Sequence, residues 1–462
     1  MAATKAKHVL AALLQIGWNI KRQSGSHRIL SRSNWPDYVF AFHDNEEIGP
    51  RMLARIAKHT GLRPEDLEHC MLYHQKAAQA QALLAETGID AWLIFVRESA
   101  VRPDPGIELA IGVDVTWDSA FVFGRNGQRV AIVGRYDVAS VRTSGLFDTI
   151  VGYDESIREH LIEALRRLDP LTIGLNYSLD DPTADGLTYG MFLHLGDLLA
   201  DTPFPSRFVS AAPLLAKLRS RKVPAEIDRI RAAVAVTEEI VDLVEQQIRP
   251  GVSEAQIAAF IHDEFRRRHL ASAWSWDACP IVNSGPESEA GHGGPRDDIL
   301  VQPGHLVHID LGVQLDGYCS DIQRMWYVRR AGEDAPPQEV QRAFETVIRA
   351  IEAGAAALRP GVYGYEVDAA ARRVIVDAGY DEYKHALGHG LGRACHDGGP
   401  LLGPRWPRYG RTPEMQVDAG NVYTLELGVT TSAGYIGIEE DVLVTDDGVE
   451  FLSRFQRTLR EI

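Results

Sequence analysis

At 462 residues the chain is too long for one hydrophobic core, and length alone divides it into about three domains. Its 45% hydrophobic and 24% charged residues describe a chain folded throughout. No apolar run of 18 residues and no export-signal core is present, so the expectation is a cytoplasmic protein with no membrane partner. The net charge is -16, yet residues 1–64 hold ten Lys/Arg against four acids, which makes a basic head of about +6 on a body of about -22. That asymmetry points to a separate partner for the head. Cys70, Cys279, Cys319 and Cys395 are scattered without Cys-x-x-Cys spacing, which argues against a disulfide framework and a thiolate zinc site.

In chain order, residues 5–16 place Val9, Leu10, Leu13 and Leu14 on one helical face, closed by Gly17. Strand-like runs follow at Trp18–Arg22, His27–Ser31 and Tyr38–Phe42, then a helix through Ala57 with Pro50 in its first turn. A helix over Leu72–Glu86 leads into the buried-strand run Ala91–Val96. Strands at Ser119–Phe123, Arg129–Val133 and Leu171–Gly174, with helices at Ile157–Leu168 and Tyr189–Leu199, complete an open α/β domain without a catalytic constellation. The predicted domains are 1–67, 70–216 and 217–462. In the last, a helix to Ile248, the turn Arg249-Pro-Gly-Val252 and a helix to Arg268 are echoed by a helix over Gln338–Leu358, Arg359-Pro-Gly-Val362 and a helix to Asp377. Each pair precedes β-rich sequence, so an internal duplication is inferred.

Acids interrupt the apolar strands of this last domain. Asp316-Gly317 is a two-residue hairpin turn, and with Leu315 opposite Tyr318, residue 312 faces Asp321, making Asp310 its same-face diagonal neighbour about 7 Å away. Two carboxylates so placed repel unless a cation or proton lies between them. A second hairpin brings Glu426 and Glu439 out of apolar strands, and between the hairpins Gly388-His389-Gly390 carries an imidazole on a glycine-rich turn. Four carboxylates and one imidazole are hard ligands that balance two divalent cations, with Mn²⁺ favoured and Co²⁺, Fe²⁺ or Zn²⁺ open.

The order Asp310, Asp321, His389, Glu426, Glu439 resembles the ligand set of the aminopeptidase P and prolidase family of pita-bread metallopeptidases, over about 240 residues. The resemblance implies a creatinase-type α/β domain before a pita-bread domain, two-metal hydrolysis of Xaa-Pro bonds in short peptides, and a homodimer. It further implies that Asp310 holds one metal, Asp321 and Glu439 bridge both, and His389 with Glu426 complete the second. Glu426 would carry protons, and His292, His385 and His396 match further active-site histidines. Two departures stand out: Gly437 where relatives often carry arginine, and Leu427 where they carry proline. An insert from Leu401 to Tyr409, rich in Pro, Arg and Trp, is placed to shape the pocket.

Gly17 to His27, with Arg22-Gln23, Gly25-Ser-His27, His43 and Glu47-Ile48-Gly49, resembles the HicA toxin family of messenger-RNA interferases with a small dsRBD-like α-β-β-β-α fold. That resemblance makes His27 a catalytic candidate, RNA a partner and a HicB-like antitoxin a second partner. Competing readings are an RNA-binding protein with the pita-bread part as scaffold, and a non-peptidase hydrolase or lyase on the same fold.

Overall fold

The computed structural model describes residues 3–288 and 293–462, in two compact units, Met1–Leu218 and Arg219–Ile462. In the first unit, Val9, Leu10 and Leu13 form the apolar face of the helix Ala6–Gln15. They are buried with Leu30 and Phe40 of a three-stranded antiparallel sheet and with Leu53 and Ile56 of the helix Pro50–Thr60. The sheet consists of Asn19–Ser24, His27–Arg32 and Trp35–Ala41 in sequential order. This is the α-β-β-β-α head expected from the pattern.

The next helix differs from its prediction. It runs over Pro64–Thr87, eight residues earlier than Leu72, because Pro64 fits the first turn and the Asp66 carboxylate accepts from Arg63 N at 2.9 Å. Leu67 and Cys70 on its first turns are buried in the head core, while Ala77, Ala80, Leu83 and Leu84 enter the core of the α/β layer. The expected domain break between residues 67 and 70 therefore lies inside one continuous helix. The α/β sheet has six strands in the order Phe208–Ser210, Ile173–Leu175, Ala91–Val96, Ser119–Gly124, Arg129–Gly134, Thr149–Tyr153. Both edge strands and the helix Val138–Ser144 escaped the sequence reading; they are short, and tertiary pairing rather than patterning defines them.

The second unit is built twice. Helices Pro224–Val244 and Glu254–Arg268 precede strands Ile281–Ser284, Leu306–Leu311 and Ile322–Tyr327, and helices Gln338–Ala357 and Gly364–Asp377 precede strands Val422–Thr431 and Gly434–Val444. The main sheet runs Ile281–Ser284, Leu306–Leu311, Ile322–Tyr327, Gly434–Val444, Val422–Thr431, so the two hairpins meet at Gln323 and Glu439. Backbone bonds repeat with the duplication. Gly251 N donates to Val301 O at 2.9 Å and Gly361 N to Val417 O at 2.8 Å; Val301 N returns to Val252 O and Val417 N to Val362 O, both at 2.9 Å. Gly304 N binds Val328 O as Gly420 N binds Val444 O, and both glycines have positive φ, 91° and 84°. From residue 301 onward the copies are offset by about 116 positions in this numbering, which makes Asp310 the counterpart of Glu426 and Gln323 the counterpart of Glu439.

Candidate metal centre

The first hairpin keeps the register read from its turn. Leu315 pairs Tyr318, Leu311 pairs Ile322 and Asp310 pairs Gln323. Each expected long strand is split, however, at Gly312 and at Ser320. A Cβ at position 312 would meet Ser320 O at 2.0 Å, so glycine lets the chain pinch there and twist its distal end into a separate small sheet. In the second hairpin Glu426 and Glu439 are direct cross-strand partners. The His389 segment lies along the edge of that hairpin: Thr424 N donates to His389 O at 3.0 Å and Glu426 N to Leu387 O at 2.6 Å. A Cβ at Gly388 would fall 1.9 Å from Thr424 O, which explains the glycine before the histidine.

These elements bring together four carboxylates and one imidazole. His389 Nε2 lies 3.7 Å from Asp321 Oδ2, 3.7 Å from Glu426 Oε1 and 3.9 Å from Glu439 Oε1, too far for hydrogen bonds and close enough for a shared cation. Ligand atoms of Asp321, His389 and Glu439 all lie within 4.8 Å of one another. Asp310 Oδ1, Asp321 Oδ1 and Glu439 Oε1 are buried and have no hydrogen-bond partner among the described residues. Burial pushes the Asp310 carboxyl up to about 7. Burial and then the Asp310 charge push Glu426 up to about 8. Burial with mutual repulsion drives Asp321 and Glu439 well above the carboxylate range. Burial, aided by His396, holds the His389 imidazole down at about 3, neutral with a lone pair to give. Unpaired carboxylate oxygens around a neutral imidazole fit divalent cations, which supply the positive charge the cluster lacks.

The surrounding residues include several that sequence reasoning missed. Cys395 Sγ donates to Asp321 Oδ2 at 2.9 Å. Asp441 Oδ2 accepts from Asp321 N at 3.1 Å. Asp397 anchors the loop that carries Cys395 and His396: its Oδ1 accepts from Ala394 N at 3.2 Å, while Arg219 and Lys222 reach it at 3.0 and 2.8 Å in a fully buried cluster. Gln323 Nε2 donates to Glu439 Oε2 at 2.9 Å and to Glu426 Oε2 at 3.4 Å. Gln323 Oε1 meets His308 Nε2 at 2.9 Å, and His308 Nδ1 meets Asn283 Oδ1 at 3.0 Å. Burial holds the His308 imidazole down at about 4. Period-two alternation was the available signal, since His308 shares a face with Asp310 and Gln323 with Asp321.

Of the other expected residues, His396 is exposed with its ring 4.4 Å from that of His389. His385 is also exposed, its carbonyl accepting from Arg372 Nη2 at 2.7 Å. His292 lies outside the described residues. The 401–409 insert stacks Trp406 on Tyr409 at 5.9 Å, and Arg408 donates to Lys384 O, which ties the insert to the His385 loop. His27 sits exposed on the open face of the head sheet, paired with Ser24 and Ala41, and does not belong to this cluster. Among the described residues no helix is long and apolar enough to cross a membrane.

Two family models match the chain: metallopeptidase family M24 over residues 228–446 and the HicA toxin of bacterial toxin-antitoxin over residues 6–62. The putative dipeptidase YkvY of Bacillus subtilis is 34% identical over 256 residues, or 55% of this chain and just under two thirds, 66%, of that relative. The uncharacterized peptidase YqhT of the same organism is 30% identical, covering 57% of this chain and 69% of its own. Among solved structures, the X-Pro aminopeptidase from Thermotoga maritima shares 26% identity at a TM-score of 0.61, covering 84% of this chain and 99% of that one. The dipeptidase PepE from Mycobacterium ulcerans shares 26% at a TM-score of 0.64, covering 85% and 98%.

Proposed function

Because the chain belongs to metallopeptidase family M24, we propose that it hydrolyses peptide bonds with two divalent cations and that its substrates are short peptides with an Xaa-Pro bond. The observation that carries this reading is the set of three buried, unpartnered carboxylate oxygens gathered around a neutral imidazole. Asp310 would hold one cation, Asp321 and Glu439 both, and His389 with Glu426 the other; Mn²⁺ is the first candidate and Co²⁺, Fe²⁺ or Zn²⁺ the alternatives. Two divalent cations bound there would supply Lewis acidity and a water acidic enough to react near neutral pH.

The chain's own groups do the rest. Glu426, which the Gln323 amide reaches at 3.4 Å, takes and returns a proton. His396, exposed with its ring 4.4 Å from that of His389, together with His385 and His292, would stabilise the oxyanion or relay a proton to the leaving amine. The Arg219, Lys222 and Asp397 cluster holds the His396 loop in place. Metal analysis of the purified protein and an assay on Xaa-Pro dipeptides and tripeptides test the reading, with Asp310→Ala as control. Two equivalents of metal and proline-dependent cleavage are expected, and a metal-free protein inert on such peptides would sink it. A homodimer is proposed with this reading.

A second reading concerns the head, where His27 and Arg22 stand exposed on an open sheet face inside the HicA-like match. The head is proposed to bind RNA, and to cut it if His27 acts as a base, with a HicB-like antitoxin as a restraining partner. RNA cleavage that His27→Ala abolishes would establish a nuclease; binding without cleavage would reduce the head to a docking module.

A further inference from the structure

Gly437 lies in the strand Gly434–Val444, two residues before Glu439. A Cβ at Gly437 would meet Gln323 Oε1 at 2.5 Å, Tyr435 Cε1 at 2.6 Å and His308 Nε2 at 2.9 Å. The glycine is therefore required by what surrounds it. Those neighbours form one hydrogen-bonded chain: the Asn283 amide spans Ser288 Oγ and His308 Nδ1, each at 3.0 Å, His308 Nε2 lies 2.9 Å from Gln323 Oε1, and Gln323 Nε2 reaches Glu439 and Glu426. All four of Ser288, Asn283, His308 and Gln323 are buried. Tyr435 packs edge-on against the His308 ring, with centroids 5.1 Å apart.

The chemistry of this chain has a direction. Carboxylates only accept hydrogen bonds, so the Gln323 amide must turn its NH₂ toward Glu439 and Glu426 and its carbonyl toward His308. His308 Nε2 must then carry a hydrogen, which leaves Nδ1 of the neutral ring an acceptor and turns the Asn283 NH₂ toward it; a side chain without a donor at the Nε2 position would leave the Gln323 amide free to flip. A flipped amide would aim its oxygen at two carboxylates. The internal duplication gives the same residue a second meaning: Gln323 occupies, in the first copy, the place that Glu439 occupies in the second, and the two meet across the junction of the hairpins. The site is asymmetric at this point, with a neutral donor facing an acid.

We propose that Gln323 is the positioning residue for Glu439 and Glu426, locked in its working orientation by His308 and Asn283, and that this chain sets the affinity of the cation pair. The inference rests on the two-cation reading above. Outer partners of metal-binding side chains fix ligand geometry, and their loss costs about 10–100-fold in metal affinity.

The test is calorimetric titration of the full chain, stripped of metal, with Co²⁺. His308→Leu is expected to bind Co²⁺ about 10–100-fold more weakly than the parent, and His308→Gln, which restores a donor, to recover much of the loss. Asn283→Ala, a smaller change at the far end of the chain, should weaken binding in the same direction, and Gly437→Ala should do so by displacing the Gln323 carbonyl. Thermal unfolding of each metal-free variant separates positioning from general damage, since a positioning role predicts weaker binding by proteins that still unfold cooperatively. Parent-like Co²⁺ affinity in His308→Leu and Gly437→Ala would overturn the inference and leave the metal site standing. A parent protein that takes up no Co²⁺ would overturn both.

Discussion

Two regions of the molecule bury carboxyl groups, and they resolve the same electrostatic problem in opposite ways. In the α/β layer Asp104 is 2% exposed, with the charge of Glu108 a minor neighbour. Its Oδ1 accepts from Gly106 N and Asn176 Nδ2, both at 2.7 Å, and Asn176 is fixed by Trp92 Nε1 at 2.6 Å. Its Oδ2 has no partner among the described residues. Burial pushes the carboxyl up to about 6, so it takes up a proton once the pH falls below that value. In the second unit Asp310, Asp321, Glu426 and Glu439 raise one another, and the donors reaching them, chiefly the Gln323 amide and the Cys395 thiol, are neutral and too few. A buried acid outside such a cluster can be settled by neutral donors and, below about pH 6, a proton, whereas a ring of them around an imidazole calls for metal.

The sharpest break in this comparison is Asp310→Ala. Removing one acid from the cluster is expected to cost more than the roughly 100-fold ceiling for outer partners, in metal binding and in peptide hydrolysis, read by metal analysis and steady-state kinetics. Next comes metal removal itself. The Asp310 and Glu426 carboxyls ionise near 3.8 and 4.5 when unfolded and near 7 and 8 in the metal-free fold. The native state thus binds more protons across that window, and the contribution of these two groups to metal-free stability is fully present below about pH 4 and is lost as pH rises toward 8. Thermal melts of stripped protein should show this fall, and bound metal should erase it because cations replace the protons.

A third arrangement lies between the two extremes. Asp397 is buried, and although burial opposes its charge, Lys222 and Arg219 hold its carboxyl below the usual range. Here the chain supplies its own cations. Lys222→Met should destabilise the protein by about 3–5 kcal/mol, as expected when a buried charge loses its partner, measured by denaturant unfolding. The smallest effect belongs to Asp104. In metal-loaded protein its raised carboxyl contributes stability below about pH 4 that is lost as pH passes 6, at most about 3 kcal/mol. Asp104→Asn should flatten that slope, and an unchanged pH profile would show that Asp104 is ionised in the fold.

The four acids and His389 were legible because each breaks a local rule: an acid inside an apolar strand, or an imidazole between glycines. The Asp316-Gly317 turn then fixed the register that places Asp310 and Asp321 on one face. The asparagine, histidine and glutamine chain was legible only in part: alternation sets His308 with Asp310 and Gln323 with Asp321, but Asn283, His308 and Gln323 come from three strands and their bonding needs the assembled sheet. Cys395 and Asp397 were hidden for a related reason: their partners, Asp321 in one case and Lys222 in the other, lie 74 and 175 residues away. The start of the Pro64–Thr87 helix was missed because Gly61 and Pro64 read as a linker, although the same proline opens a helix when Asp66 follows to cap it.

That helix has a practical consequence. Leu67 and Cys70 belong to the head core and Ala77 to the next one, with a single rod of backbone beneath both. Trimming the gene after residue 67 to obtain the peptidase alone would unroof hydrophobic surface on one side and remove the capped beginning of the rod on the other. Fluorescence anisotropy from a dye on the head should accordingly show the head tumbling with the α/β layer, without the fast component of a bead on a string.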